Sequence, residues 1–424
     1  MTCSFCFIDK MVSRFWHNAF YLTVEKGAHL LGGLLLMVGV ARWMGEGVLG
    51  QYAFVISWTA LFVPVLDIGL NNRIIKQVAI GDVVGEQAVQ DALGFKFLVG
   101  PIALGLMVVG AWGMGKSAEI LLAVLLVGGS TLAMSLGDSL NAIFKGLQRS
   151  GYSALLLLGL NGALLVLGLA GMALGIGLIG IAGAYLVSRV GYWGVGMGFA
   201  SRVVSTYRFR FRPIVQRERV IQGVCLLPAP YFLGALLHLN FITTDLFVSD
   251  PVSAHFAIGY RLAAALFVLG GASLEVFLPS LTKRFHTALD LKPVLFRGAI
   301  AFLGLTILGV GLVQVAAETV TLWVFGKAYL AAVEPIRLLA WTVPPFVLCG
   351  LAHTALLAMD RERKGFGVML GLVGAGFVVG GIGMFLGGAY GVALAPAVVG
   401  CVFACVLWGM VRQELREIDD ADSG

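Results

Sequence analysis

Ser201–Arg219, SRVVSTYRFRFRPIVQRER, places six arginines, one acid and Pro213 near the centre of a 424-residue chain. About two hundred residues of almost unbroken apolar sequence lie on each side, so the strip reads as a solvated connector between two membrane-embedded halves. The domains expected on this reading are an N-terminal lobe over 1–200, a basic cytoplasmic hinge over 201–220, a C-terminal lobe over 221–412 and a cytoplasmic tail over 413–424.

Composition agrees. Hydrophobic residues make up 59%, charged residues 12%, and the mean hydropathy is +0.94, a profile that excludes an ordinary soluble globular domain. The chain reads as an all-α polytopic membrane protein. Its 58 glycines are costly in an aqueous helix but permit close helix approach in lipid. Candidate packing seams are Gly171xxxGly175, Gly194xxxGly198, Gly367xxxGly371 and Gly376xxxGly380.

A membrane-spanning helix needs about twenty apolar residues. Twelve such runs emerge. In the first half they are Phe20–Arg42, Gly50–Asn72, Ala92–Trp112, Ala118–Asp138, Ser153–Leu174 and Ile176–Gly198. In the second they are Gly223–Leu246, Val252–Val276, Phe296–Ala317, Ile336–Met359, Phe366–Leu386 and Ala389–Val411. On the side of the N-terminus lie 21 of the 29 Lys and Arg residues, including the hinge, whereas the other side has Arg42, Lys116, Lys327 and Arg337. By the positive-inside rule both termini and the hinge are cytoplasmic. The net charge of +6 then reflects topology rather than affinity for nucleic acid. The stretch before Phe20 lacks a separate apolar core with a cleavage site, so the first helix is expected to stay as an anchor.

No metal or cofactor is expected. Cys225, Cys349, Cys401 and Cys405 fall within helices, and the CxxC of Cys3 and Cys6 has no second ligand pair nearby. Gly110–Ser117, GAWGMGKS, satisfies the phosphate-loop pattern but ends a membrane helix on the outer face with no strand before it. Gly175–Gly180, GIGLIG, is a turn between two membrane helices. Neither supports nucleotide binding.

The halves carry a faint repeat. Glu119 and Glu334 open the fourth and tenth helices, which close with Ala142–Gly151, AIFKGLQRSG, and Leu356–Gly365, LLAMDRERKG, at a nearly constant offset. A parallel repeat of six helices is a common transporter design with a cleft between lobes.

Four segments then carry a resemblance. They are Gly47, Gly50 and Tyr52 followed by Asp67-Ile68-Gly69-Leu70; Gly259-Tyr260-Arg261-Leu262-Ala263 with Pro279 closing that helix; Phe325-Gly326-Lys327-Ala328-Tyr329; and the end of the tenth helix. In order and spacing the chain resembles the polysaccharide exporters and oligosaccharide-lipid flippases, of the O-antigen type, within the multidrug/oligosaccharidyl-lipid/polysaccharide (MOP) exporter superfamily. The resemblance implies a V-shaped bundle of about twelve helices in the bacterial cytoplasmic membrane. It would alternate between inward- and outward-open states to move a polyprenyl-pyrophosphate-linked glycan outward, probing no nucleotide or nucleic acid. Partners implied are the lipid-linked glycan, membrane lipids and glycan polymerase machinery. The superfamily also contains cation-coupled drug antiporters, which remain the alternative.

Charges carried into the membrane cost roughly 2.5–3.5 kcal/mol each at its centre and need partners or water. Arg189 and Arg261 lie several residues from any helix end. They are candidates for holding a pyrophosphate headgroup by bidentate hydrogen bonds, with Lys26 beside the first helix's cluster; an internal ion pair is the competing reading. Glu25 and His29 stand at i,i+4 and read either as an ion-coupling pair or as groups that neutralise neighbours near the cytoplasmic end. Lys96 and Glu275 read as snorkelling residues, and Asp67 and Asp138 as gate or loop anchors beside Arg73 and Lys145. Pro64, Pro101, Pro228 with Pro230, and Pro344 with Pro345 mark expected bends, LPAPYF above all. The short outer loops, nearly free of acid-base residues, argue against an enzyme.

Overall fold

A computed structural model describes residues 2–204, 227, 229–286 and 291–423; within these, the side chains of 2–26, 28–30, 82–84, 150, 268–280, 282–284, 286 and 418–423 are outside the description. The hinge from residue 205 onward therefore lies outside the described residues, as do the side chains of Glu25, Lys26, His29 and Glu275.

All described elements are helices: α1 Thr2–Ala60, α2 Val63–Asp67, α3 Leu70–Ile80, α4 Asp82–Gly113, α5 Ala118–Gly146, α6 Ser150–Ala173, α7 Gly177–Val203, α8 Ala229–Asp245, α9 Asp250–His286, α10 Lys292–Val324, α11 Val333–Ala340, α12 Val343–Ala358 and α13 Glu362–Ser423. A 3-10 turn, Lys327–Ala332, leads into α11. Among the described residues eight stretches are long and apolar enough to cross a membrane, which makes the chain an all-α multi-pass membrane protein. Backbone breaks subdivide the longest helices. Gly45 interrupts α1, and Gly387 with Gly388 interrupts α13 between the two spans expected at Phe366–Leu386 and Ala389–Val411.

The chain forms two compact units. Unit 1 comprises Met1–Trp43 and Phe62–Val224, and unit 2 comprises Met44–Leu61 and Cys225–Gly424. The arm of α1 after Gly45 thus packs within unit 2 although it lies in the first quarter of the sequence. Gly50 is what allows it, since a Cβ there would collide with the carbonyl oxygen of Asp250. Gln51 Nε2 donates to Asp250 Oδ2 at 2.9 Å, and Glu46 lies 3.5 Å from His255.

The two helix ends paired in the sequence share one local turn. After α5, Gln148 N donates to Lys145 O and Arg149 N to Phe144 O; after α12, Asp360 N donates to Leu357 O and Arg361 N to Leu356 O. Both turns are the same helix-ending motif with a non-glycine residue in the left-handed region, Gln148 at φ 55° and Asp360 at φ 57°.

Several expectations are corrected. Pro64 and Pro344 stand in the first turns of α2 and α12, where a missing N–H costs nothing, so they start helices rather than bend them. Pro230 is likewise the second residue of α8, which runs on without a break. Pro279 does not close its helix, since α9 continues to His286. Gly194 and Gly198 form no seam among the described residues, where nothing lies within 4 Å of a Cβ built on either. Gly376 and Gly380 do: side chains there would run into Leu236 and Asn240 of α8. The phosphate-loop pattern folds as a helix end, with Gly115 left-handed at φ 73° and Ser117 capping α5.

Candidate functional site

The span expected at Gly50–Asn72 is broken twice, and the second break builds a polar centre in unit 1. Short α2 ends where Ile68 (φ 36°) and Gly69 (φ 73°) both adopt the left-handed conformation, and α3 starts at Leu70. The break leaves Asp67 buried at the end of one helix and Asn71 in the first turn of the next, with Asn71 N 3.4 Å from Asp67 Oδ1. This is the Asp67-Ile68-Gly69-Leu70 segment on which part of the family resemblance rests.

Lys96, from α4, enters this centre. It is fully buried, and its Nζ donates toward Ser139 Oγ at 2.7 Å, Ser135 O at 2.8 Å, Asn71 Oδ1 at 3.0 Å and Asp67 Oδ1 at 3.4 Å. Ser139 Oγ in turn donates to Asn71 Oδ1 at 3.0 Å. The snorkelling expectation for Lys96 is therefore wrong: a lysine with four oxygens around its ammonium gains more from them than from stretching toward water. Half-buried Asp138 lies near enough to add its field to that of Asp67, and its Oδ1 accepts from Tyr192 OH at 2.9 Å. Arg73, placed beside Asp67 by sequence, pairs with Asp91 at 3.6 Å.

Arg189 sits in α7 and is half-buried. Its Nη1 donates to Ser130 Oγ at 3.1 Å and Thr131 Oγ1 at 3.3 Å on α5, and its guanidinium carbon lies 4.9 Å from the centre of the Tyr185 ring. The contact on α5 is about 12 Å, roughly two turns, from Asp138. Arg189 is thus oriented by two hydroxyls and an aromatic face, contacts that fix a guanidinium plane.

In unit 2, Arg261 is half-buried on α9 near His238 of α8. No hydrogen-bond or ion-pair partner for it lies among the described residues. The structure brings Asp67 and Asp138 together around Lys96, keeps Arg189 on the same unit, and places Arg261 in the other. The backbone around Glu25, Lys26 and His29 is helical, while their side chains lie outside the description. Among the described residues no group of three His, Cys, Asp or Glu could hold a metal ion. Asn71, Ser139 and Tyr192 escaped the sequence reading because neutral polar residues in apolar helices are individually ordinary; the Asp67–Asn71 spacing across a glycine was the available signal.

No protein-family model matches the chain, and no curated protein sequence matches it. Solved structures do. An inward-facing multidrug resistance MATE family transporter of the MOP superfamily aligns over 92% of this chain and 95% of its own, at 14% identity and a TM-score of 0.70. The lipid II flippase MurJ, in an inward closed conformation, aligns over 93% and 87% at 13% identity and a TM-score of 0.71. A MOP superfamily transporter from Pyrococcus furiosus aligns over 96% of both chains at 14% identity and a TM-score of 0.60. The fold of this chain, across nearly its whole length, is that of the MOP superfamily transporters.

Proposed function

We propose that this protein exports a polyprenyl-pyrophosphate-linked oligosaccharide across the cytoplasmic membrane by alternating access, with Arg189 and Arg261 holding the pyrophosphate and the residue 201–220 strip joining the moving lobes. Arg261 is the observation that carries the reading. A half-buried guanidinium in the middle of α9, with no acid among the described residues to pair it, suits an anionic ligand better than an internal ion pair. The fixed plane of Arg189 supports the same chemistry, since bidentate binding of phosphate oxygens needs an oriented fork. Likeness in fold to a lipid II flippase supports a lipid-linked substrate, and the transporter neighbours support transport rather than catalysis. The product would be passed to polymerising machinery outside.

A second reading, a cation-coupled antiporter of small molecules, is supported by the equally strong fold likeness to a multidrug transporter. The two separate on one set of cells. Arg261→Ala and Arg189→Ala should each reach the membrane at normal abundance and accumulate lipid-linked glycan on the inner face, while Arg261→Lys retains partial export. Stable Ala variants with full glycan export would sink the headgroup site. Unchanged glycan export but raised drug susceptibility in cells lacking the chain would favour the antiporter.

A further inference from the structure

The centre around Lys96 has the composition of a monovalent-cation site rather than that of a simple ion pair. Four oxygens converge on Nζ within 3.4 Å: a carboxylate from the end of α2, a side-chain amide from the start of α3, and a backbone carbonyl and a hydroxyl one turn apart on α5. An ammonium has three protons to donate, so four acceptors exceed what its directional bonding can satisfy. A spherical cation uses all of them. The mixture of one carboxylate with neutral oxygens is the kind that binds a singly charged ion, and broken membrane helices elsewhere supply such ligands from their interrupted ends. Here the break at Ile68 and Gly69 performs that service.

The surroundings agree. Ser135, whose carbonyl forms one wall, carries a buried hydroxyl with no hydrogen-bond partner among the described residues, so the polar lining is richer than Lys96 requires. Two carboxylates, Asp67 and Asp138, act on one ammonium, with Lys145 acting on Asp138 from the last turn of α5.

We propose that Asp67, Asn71, Ser135 and Ser139 form a monovalent-cation site whose occupant is the protein's own Lys96 ammonium, and that removing this ammonium opens the site to Na⁺ or K⁺. A tethered cation cannot leave. The helix break of unit 1 is then held permanently in its cation-bound form, and no exchangeable ion acts at this place. The inference stands apart from the identity of the transported substrate, because its readout is cation binding by the purified protein.

The test compares the full-length protein and Lys96→Ala in detergent, at constant ionic strength, as choline chloride is replaced by NaCl or KCl. The wild type should show no cation-specific shift in its unfolding midpoint. Lys96→Ala should be less stable in choline and rise saturably by about 5 °C in at least one of the two inorganic salts. Lys96→Ala with Asp67→Asn should be more stable in choline than Lys96→Ala alone and should lose the response, since both charges of the pair are gone. Equal midpoints for Lys96→Ala in choline, Na⁺ and K⁺ would overturn the proposal. So would a response that survives Asp67→Asn, or a Lys96→Ala protein that fails to accumulate even in salt-rich medium while the double variant does accumulate, because the proposal requires the inorganic ion to restore what the ammonium supplies.

Discussion

The two units solve the same problem, holding apolar helices together in lipid, with different materials at their centres. Unit 1 places a charge there: Lys96 is fully buried with Asp67 beside it. In unit 2 the buried polar groups that α12 and α8 contribute among the described residues are neutral, namely Cys349, His353, Thr354, Asn240 and Thr244, while the charge of Arg261 on α9 is only half-buried. Its buried carboxylates among the described residues are Asp245, at the end of α8, and Glu414, within α13; Asp245 accepts from Ser253 at 2.6 Å, and Glu414 pairs with Arg361 at 2.7 Å and with Lys364. Close glycine approach does the joining in this unit, along Gly376 and Gly380 against α8 and where Gly383 meets Gly391. Unit 1 has close glycine contacts as well, Gly137 against Tyr192 and Gly171 against Gly180, so what sets it apart is the buried charge at a helix break.

That contrast yields a graded set of outcomes, each read as the unfolding of purified protein in detergent. Lys96→Met should be the most damaging, at about 3–5 kcal/mol, because it strands a buried carboxylate. Adding Asp67→Asn should recover most of the loss; a double variant as weak as the single one would mean that unit 1 is held by packing after all. Gly376→Ala should cost about 1–3 kcal/mol through overpacking against Leu236, while Gly194→Ala should be near neutral. Equal effects at the two positions would remove the argument from fit. His353→Leu should cost only about 1 kcal/mol, since the ring's one hydrogen bond among the described residues is with Leu227 O at 3.3 Å and its Nδ1 has no partner there. Smallest of all, Asp360→Gly should stabilise by about 0.5 kcal/mol by relieving a left-handed non-glycine residue. Destabilisation there would show that Asp360 earns its place by a side-chain contact.

Orientation has its own check. A cysteine replacing Ser205 should be labelled from the cytoplasmic side alone, and labelling from outside would reverse the assignment of every loop.

Hydropathy made the helical class and most of the spans legible, because twenty-residue apolar runs have few alternatives in lipid. Breaks at Gly45 and at Gly387 with Gly388 fall between expected spans for the same reason. The break at Ile68 was not legible. A β-branched residue with φ 36° contradicts its own propensity, and Gly69 beside it was a local signal too weak to stand out among 58 glycines. Lys96 was misread as a consequence, since its partners come from three separate segments that only the fold assembles. Gly194xxxGly198 failed differently: lipid-facing and helix-facing surfaces have the same apolar composition, so spacing alone cannot say which one a glycine serves.

The arm of α1 that belongs to unit 2 changes what a half of this molecule means. The covalent chain passes from one unit to the other three times, after Trp43, after Leu61 and after Val224, instead of once at the arginine-rich strip. A fragment starting at Cys225 lacks the segment that supplies Gln51 to Asp250 and Glu46 to His255, so it is an incomplete folding unit. Cutting the strip at residue 212 therefore does not yield two independent pieces. The fragments 1–212 and 213–424 should be recovered together when co-expressed, with the first threading its own residues 44–61 into the second as a built-in clasp.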